Sequence, residues 1–220
     1  MEYTIMNELE LLEKIAQPAE KGAKPSFTYI DLLRLIRLTG LRGIISRKII
    51  SEELKIGEGS VRTMIRRLKK EKFIDTIKSG VMLTKKGEKL YNLLNSIIFY
   101  ENKLENEKLG RLVLSKKNYC IVLKNLITKV KSGVEERDIA LKFGSEALLS
   151  IIYKNEKFMF PDGYELNLEY EGACKYLTII VKDLKEGLII ISFSNNERDA
   201  INGAYAVIWH LLKLNQLALK

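Results

Sequence analysis

Apolar residues recur along the first half of the chain with the helical period of three to four positions. Residues 6–16 place Leu9, Leu12 and Ala16 on one side of a short amphipathic helix. Pro18, Gly22 and Pro25 make 17–25 a loop. Ser26 then reads as the N-cap of a helix to about Leu38, with Ile30, Leu33 and Ile36 on its apolar face and Thr39-Gly40 at its end. Residues 46–54 predict a short helix with Ile49, Ile50 and Leu54 on one side, and 55–59 a tight turn. Ser60 caps a third helix to about Lys72, in which Val61, Met64, Ile65 and Leu68 form one stripe. Strands at 73–77 and 81–84 flank Lys78-Ser79-Gly80, whose Ser-Gly pair signals a hairpin. Thr84 caps a long helix over 85–104 that carries Leu90, Leu93, Leu94, Ile97, Ile98 and Leu104.

Beyond the charged run 101–108 the rhythm changes to short strands between helices. Residues 119–123 read as a strand, and 134–143 as a helix capped by Ser132 and stopped by Gly144. Residues 147–153 and 157–160 form a hairpin, and 188–193 an apolar, central strand. Residues 174–184 fit a strand or a helix. Ser194 caps a last helix over about 197–214. The expected fold class is α+β. A domain over 1–104, with three helices, a hairpin and a linking helix, precedes an α/β sandwich over 110–220.

Charge changes this picture. Residues 26–90 hold 16 Lys and Arg against 7 Asp and Glu, whereas the remainder holds 21 of each. The whole surplus of +9 therefore lies in one block, which points to a polyanionic partner for that block. Composition that is 46% apolar and 30% charged excludes a disordered or collagen-like chain. Cys120 and Cys174 give no disulfide framework and suit a reducing cytoplasm. No apolar run reaches the ~18 residues of a membrane span, and no signal peptide is visible, so a cytoplasmic location without a membrane partner is expected.

The third helix concentrates the candidate chemistry. With its apolar stripe turned inward, Arg62, Thr63, Arg66, Arg67 and Lys70 fall on the flanks and back. A basic helix about three turns long fits the major groove of double-stranded DNA. Gly57 and Gly59 let the preceding turn run sharply and close to phosphates, and the helix N-terminus around Ser60 attracts an anion. The hairpin tip Lys78-Ser79-Gly80 and the pair Arg47 and Lys48 would touch the flanking backbone, positioning rather than specifying. Thr63, Arg62 and Arg66 are the expected base readers.

The order helix, helix, helix, hairpin, helix is the winged-helix plan. Ile56-Gly-Glu-Gly-Ser-Val-Arg-Thr-Met-Ile-Arg-Arg-Leu68, with Gly80-Val-Met-Leu-Thr-Lys-Lys-Gly87, resembles the recognition helix and post-wing segment of prokaryotic winged-helix regulators. It is most similar to archaeal winged-helix transcriptional regulators that join this module to a C-terminal domain of unknown function, and Pro25-Ser26-Phe27 resembles their opening. The resemblance implies DNA binding through Ser60, Arg62, Thr63 and Arg66, and a homodimer. Residues 130–148 resemble the helix-and-turn motif of the same C-terminal domains.

In that second half, Gly133, Arg137 and Asp138, with Ser194 and Asn195 before the last helix, are candidate contacts for a small-molecule effector. Local capping and ion pairing explain the same residues without a ligand. His210 lies in an apolar helix beside Trp209 and reads as a packing residue. No phosphate loop, metalloprotease motif or nucleophile elbow is present, so no catalytic set, metal or cofactor is expected. The leading expectation is a DNA-binding transcriptional regulator whose long helix sets the spacing of two recognition helices, with Ile97, Ile98 and Leu104 at a dimer contact. An enzyme carrying a regulatory winged helix and a winged-helix module for protein or RNA remain the alternatives.

Overall fold

A computed structural model describes residues 2–18 and 25–217. It divides into two units at Asn95–Ser96. Each is mixed in a different way: the first is largely helical, the second is built on a sheet.

Unit 1 runs α1 (Glu2–Ala16), α2 (Tyr29–Arg42), α3 (Arg47–Leu54), α4 (Glu58–Lys70), β1 (Ile74–Ile77), β2 (Gly80–Leu83) and all but the last two residues of α5 (Lys85–Ile97). Its core takes Ile30, Leu33 and Ile36 from α2, Ile50 and Leu54 from α3, and the whole Val61, Met64, Ile65, Leu68 stripe from α4. Ile49, expected on the apolar side of α3, is exposed instead. Three boundaries shift for local reasons. The N-cap of α2 is Thr28 rather than Ser26, because the Asp31 carboxylate reaches back to accept the Thr28 amide at 2.8 Å. The helix does not stop at Thr39-Gly40. It continues to Arg42, and a side chain at Gly40 would collide with the Tyr91 ring. Ser60 lies inside α4 rather than capping it, since Gly57 takes the N-cap and the Ser60 hydroxyl bonds that of Ser26.

The predicted long helix over 85–104 is two elements. α5 ends at Ile97, and Ile98–Asn102 form β3, paired antiparallel with β4 (Lys117–Leu123) from Ile98↔Leu123 to Asn102↔Cys120. Ile98-Phe99-Tyr100 suit a pleated strand. Periodicity along one segment cannot reveal the partner strand that recruits them. Ile98 and Leu104 are consequently buried within unit 2, so they do not share one helix face with Ile97 as a dimer contact. The charged run 101–108 lies within unit 2 and holds the end of β3 and α6 (Asn106–Leu109).

Unit 2 continues with β4 (Lys117–Leu123), α7 (Val134–Lys142), β5 (Ala147–Lys154), β6 (Lys157–Met159), α8 (Glu171–Val181), β7 (Glu186–Ser194) and α9 (Glu197–Leu217). The strands form one antiparallel sheet in the order β3-β4-β7-β5-β6. β7 is its middle strand, and Gly187–Ser194 are buried throughout. Cys120, Val122, Ile189, Ile191 and Phe193 face a core shared with Ala173, Cys174, Leu177 and Val181 of α8. The alternate residues Ile121, Leu123, Leu188 and Ile190 face the opposite side, where α9 packs on β4 and β7 and α7 packs on β5. A strand covered on both faces reads as a continuous apolar run. Residues 174–184 resolve mainly as helix because Leu177 and Val181 are buried on one stripe while Ile179 stays exposed.

Candidate nucleic-acid interface

The α3–turn–α4–hairpin segment is fixed by short-range hydrogen bonds. Ser46 Oγ accepts the Ile49 amide at 3.3 Å and caps α3. Lys55 closes α3 in the left-handed region, at φ 56°, and Ser51 Oγ donates to the Ile56 carbonyl at 2.6 Å. The sharp turn therefore belongs to Lys55. Gly57 and Gly59 have no left-handed φ, and a side chain at either would meet open space.

The β1–β2 register pairs Ile77 with Gly80, so Lys78-Ser79 is the two-residue turn and Gly80 already belongs to β2. Gly80 has φ 150°, and a Cβ there would lie 2.5 Å from the Ile45 carbonyl oxygen. Glycine thus lets Ile45 and Val81 exchange two backbone hydrogen bonds, at 2.9 and 3.0 Å, which tie the hairpin to the start of α3.

These ties leave a groove of about 580 Å³ between the start of α3, one face of α4 and the hairpin. Arg47, Arg62, Arg66, Lys69, Lys78, Ser79 and Gly80 line it, over a floor that includes Ile65, Ile77 and Val81. No carboxylate of the described residues lines the groove. Among the described residues, no carboxylate pairs with Arg47, Arg62, Arg66 or Lys78. Lys69 was not among the expected contacts, although it follows Arg62 and Arg66 at helical spacing on the same face. It is engaged with the hairpin: Nζ lies 2.7 Å from Asp75 Oδ1 and donates to Thr76 Oγ1 at 2.7 Å. The bond from Lys69 to the Asp75 carboxylate, with that from the Thr76 amide, holds this carboxyl below the usual range.

The remaining expected contacts are placed differently. Arg67 turns inward, where Nη1 donates to the carbonyls of Ile15 at 2.6 Å and Gln17 at 2.7 Å, and its guanidinium covers the Phe27 ring. It satisfies carbonyls at the C-terminal end of α1. Thr63 Oγ1 donates to the Gly59 carbonyl at 3.1 Å. Lys48 and Lys70 are exposed outside the groove lining.

In unit 2 the expected effector contacts fall into separate networks. Gly133 is the N-cap of α7, with φ 78°. Arg137 and Asp138 pair with each other at 3.0 Å on the surface. Ser194 Oγ donates to the Gly144 carbonyl at 3.2 Å, and Asn195 bonds the Glu146 carboxylate. The Ser115 hydroxyl bonds that same carboxylate at 2.6 Å and, together with Asn195, holds it below its usual range. Asn196, not Ser194, caps α9, because its Oδ1 accepts the Asp199 amide at 2.9 Å. His210 Nε2 lies 3.3 Å from Glu135 Oε1. Glu136 beside it is almost fully buried, and desolvation raises its carboxyl above the usual range. Burial likewise pushes the Cys174 thiol up to about 11, and the Cys120 thiol upward as well. Among the described residues, no cluster of His, Cys, Asp and Glu is arranged to hold a metal ion. No described helix is long and apolar enough to cross a membrane.

Two families match parts of this architecture. Residues 31–89, which carry α2 to the early part of α5, match the PH0730-like N-terminal domain. Residues 114–211, which carry most of the sheet unit, match a domain of unknown function, DUF4443. Among solved structures the chain is similar to the hypothetical protein PH0730 from Pyrococcus horikoshii OT3. The two share 29% identity with a TM-score of 0.65, over 89% of this chain and 100% of that one. No curated protein matches the chain.

Proposed function

We propose that the chain is a sequence-specific, double-stranded-DNA-binding transcriptional regulator, with unit 1 acting as a winged helix and β1–β2 as its wing. The observation that carries this reading is the groove between α4 and the hairpin, walled by Arg47, Arg62, Arg66 and Lys78, none paired with a carboxylate among the described residues, together with Lys69, which is paired with Asp75. α4 spans 13 residues, or about 20 Å, and its exposed face presents Arg62 and Arg66. A helix of that length can lie in a major groove ~12 Å wide, where arginine forks match guanine edges and phosphates. Lys78 at the wing tip and Arg47 at the start of α3 would hold the backbone on either side. Unit 2, whose 18 Lys and Arg nearly balance its 16 Asp and Glu, would serve effector sensing or homodimer formation rather than polyanion binding.

Duplex binding by the full chain, measured against salt, tests this directly. The log of the affinity should fall steeply with log salt, by ~0.9 per phosphate neutralised. Arg66→Ala should relax sequence preference, whereas Lys78→Ala should weaken all duplexes alike. No measurable duplex affinity at low salt rejects the reading.

A further inference from the structure

The groove is not the only cationic concavity of unit 1. A second cleft, of about 440 Å³, opens at the root of the hairpin. Lys69, Lys72, Lys85 and Lys86 line it, with Thr84 and Asp75. Its single carboxylate is already neutralised, because Asp75 is ion-paired with Lys69 at 2.7 Å. Lys86 is also committed: Nζ donates to the Glu71 carbonyl at 3.1 Å and lies 4.2 Å from the centre of the Phe73 ring. Lys72 and Lys85 are exposed, and neither meets a carboxylate among the described residues. Both ammonium groups are therefore available to an external anion.

Their backbone positions are held rather than loose. Lys72 has φ 59°, and three bonds fix its surroundings: Lys72 N to Lys69 O, Phe73 N to Leu68 O, and Thr84 Oγ1 to Lys72 O. Lys85 opens α5, where a cation opposes the helix dipole and gains nothing locally. Lys69, in its pair with Asp75, lines both concavities, so the groove that carries Arg62 and Arg66 adjoins the cleft that carries Lys72 and Lys85.

We infer that this second cleft seats the sugar–phosphate backbone of duplex DNA flanking the segment held in the groove. The inference rests on the reading of the groove as a DNA interface and extends its footprint by two cationic contacts. Charge complementarity selects the occupant, since a duplex that enters the groove carries a regular line of phosphates past it. Duplexes of about one and about three helical turns separate the two claims. Fluorescence anisotropy of the full chain would follow affinity against salt for each.

Lys72→Gln with Lys85→Gln should leave the salt slope on the short duplex unchanged. On the long duplex it should make the slope shallower by about 1.8, at ~0.9 per contact. Arg66→Gln should make it shallower on both. An unchanged long-duplex slope for the lysine double variant overturns the inference alone. Equal loss on both lengths also overturns it, because the lysines would then belong to the groove site. A wild-type chain that binds neither duplex overturns the groove reading and this inference together. Circular dichroism melting of the double variant confirms that it remains folded.

Discussion

The two units distribute charge differently. Residues 1–95 hold 19 Lys and Arg against 12 Asp and Glu, whereas residues 96–220 hold 18 against 16. The sharper difference is in pairing. In unit 2, Lys103, Arg111, Lys154 and Lys157 each lie within 3.3 Å of a carboxylate. In unit 1, Arg47, Arg62, Arg66 and Lys78 lie around one groove without such a partner among the described residues. Surface pairs contribute little to stability, so the pairing in unit 2 mainly cancels its field. Leaving cations unpaired on one face concentrates a field there, which is the arrangement a polyanion requires.

The largest test of that contrast is Ile191→Ala, which empties space at a fully buried position of the central strand. Chemical denaturation should show a loss of about 2–5 kcal/mol, while the folded protein keeps its duplex affinity. A parallel loss of affinity would break the division of labour. Next is Arg62→Ala with Arg66→Ala. Each is expected to cost about 1–3 kcal/mol in affinity for a preferred duplex, with little change in melting temperature.

Smaller is the effect of Glu136→Gln. The Glu136 carboxyl holds its proton more tightly when folded than at the ordinary value of 4.5, owing first to desolvation, opposed by its own amide and by His210. Its contribution to stability is therefore fully present below 4.5 and is lost as pH rises through the folded value. The glutamine variant should melt a few degrees above the parent at neutral pH, and the gap should close toward pH 4. A constant gap across that range would exclude titration of Glu136 as its cause. The smallest effect belongs to Arg137→Ala. It removes an exposed pair and should change stability by no more than about 0.5 kcal/mol.

Where local rules applied, the chain was legible. The α4 stripe, the central apolar strand and the hairpin near Lys78 all follow from spacing or turn chemistry within a few residues. Arg62 and Arg66 were readable as exposed because burying Val61, Met64, Ile65 and Leu68 dictates the opposite face. Arg67 shows where such reasoning ends. One position beyond Arg66, its guanidinium reaches the carbonyls of Ile15 and Gln17, about fifty residues earlier in the chain. Nothing near Arg67 announces that demand. Lys69 and Asp75 likewise meet only because the hairpin folds back along α4.

The amino-acid sequence by itself determined the order of most elements, the two-part α+β plan and the block that carries the net charge. Hydrophobic period, caps and charge are properties of neighbouring residues, so they can be read without a fold. Tertiary structure alone decided that the predicted long helix breaks at Ile97, that the effector candidates Arg137 and Ser194 join different networks, and that a second lysine-lined cleft lies at the hairpin root. Each of these depends on a partner distant in the chain. β3 becomes a strand because β4 offers it hydrogen bonds, and a cleft exists only once two elements enclose it.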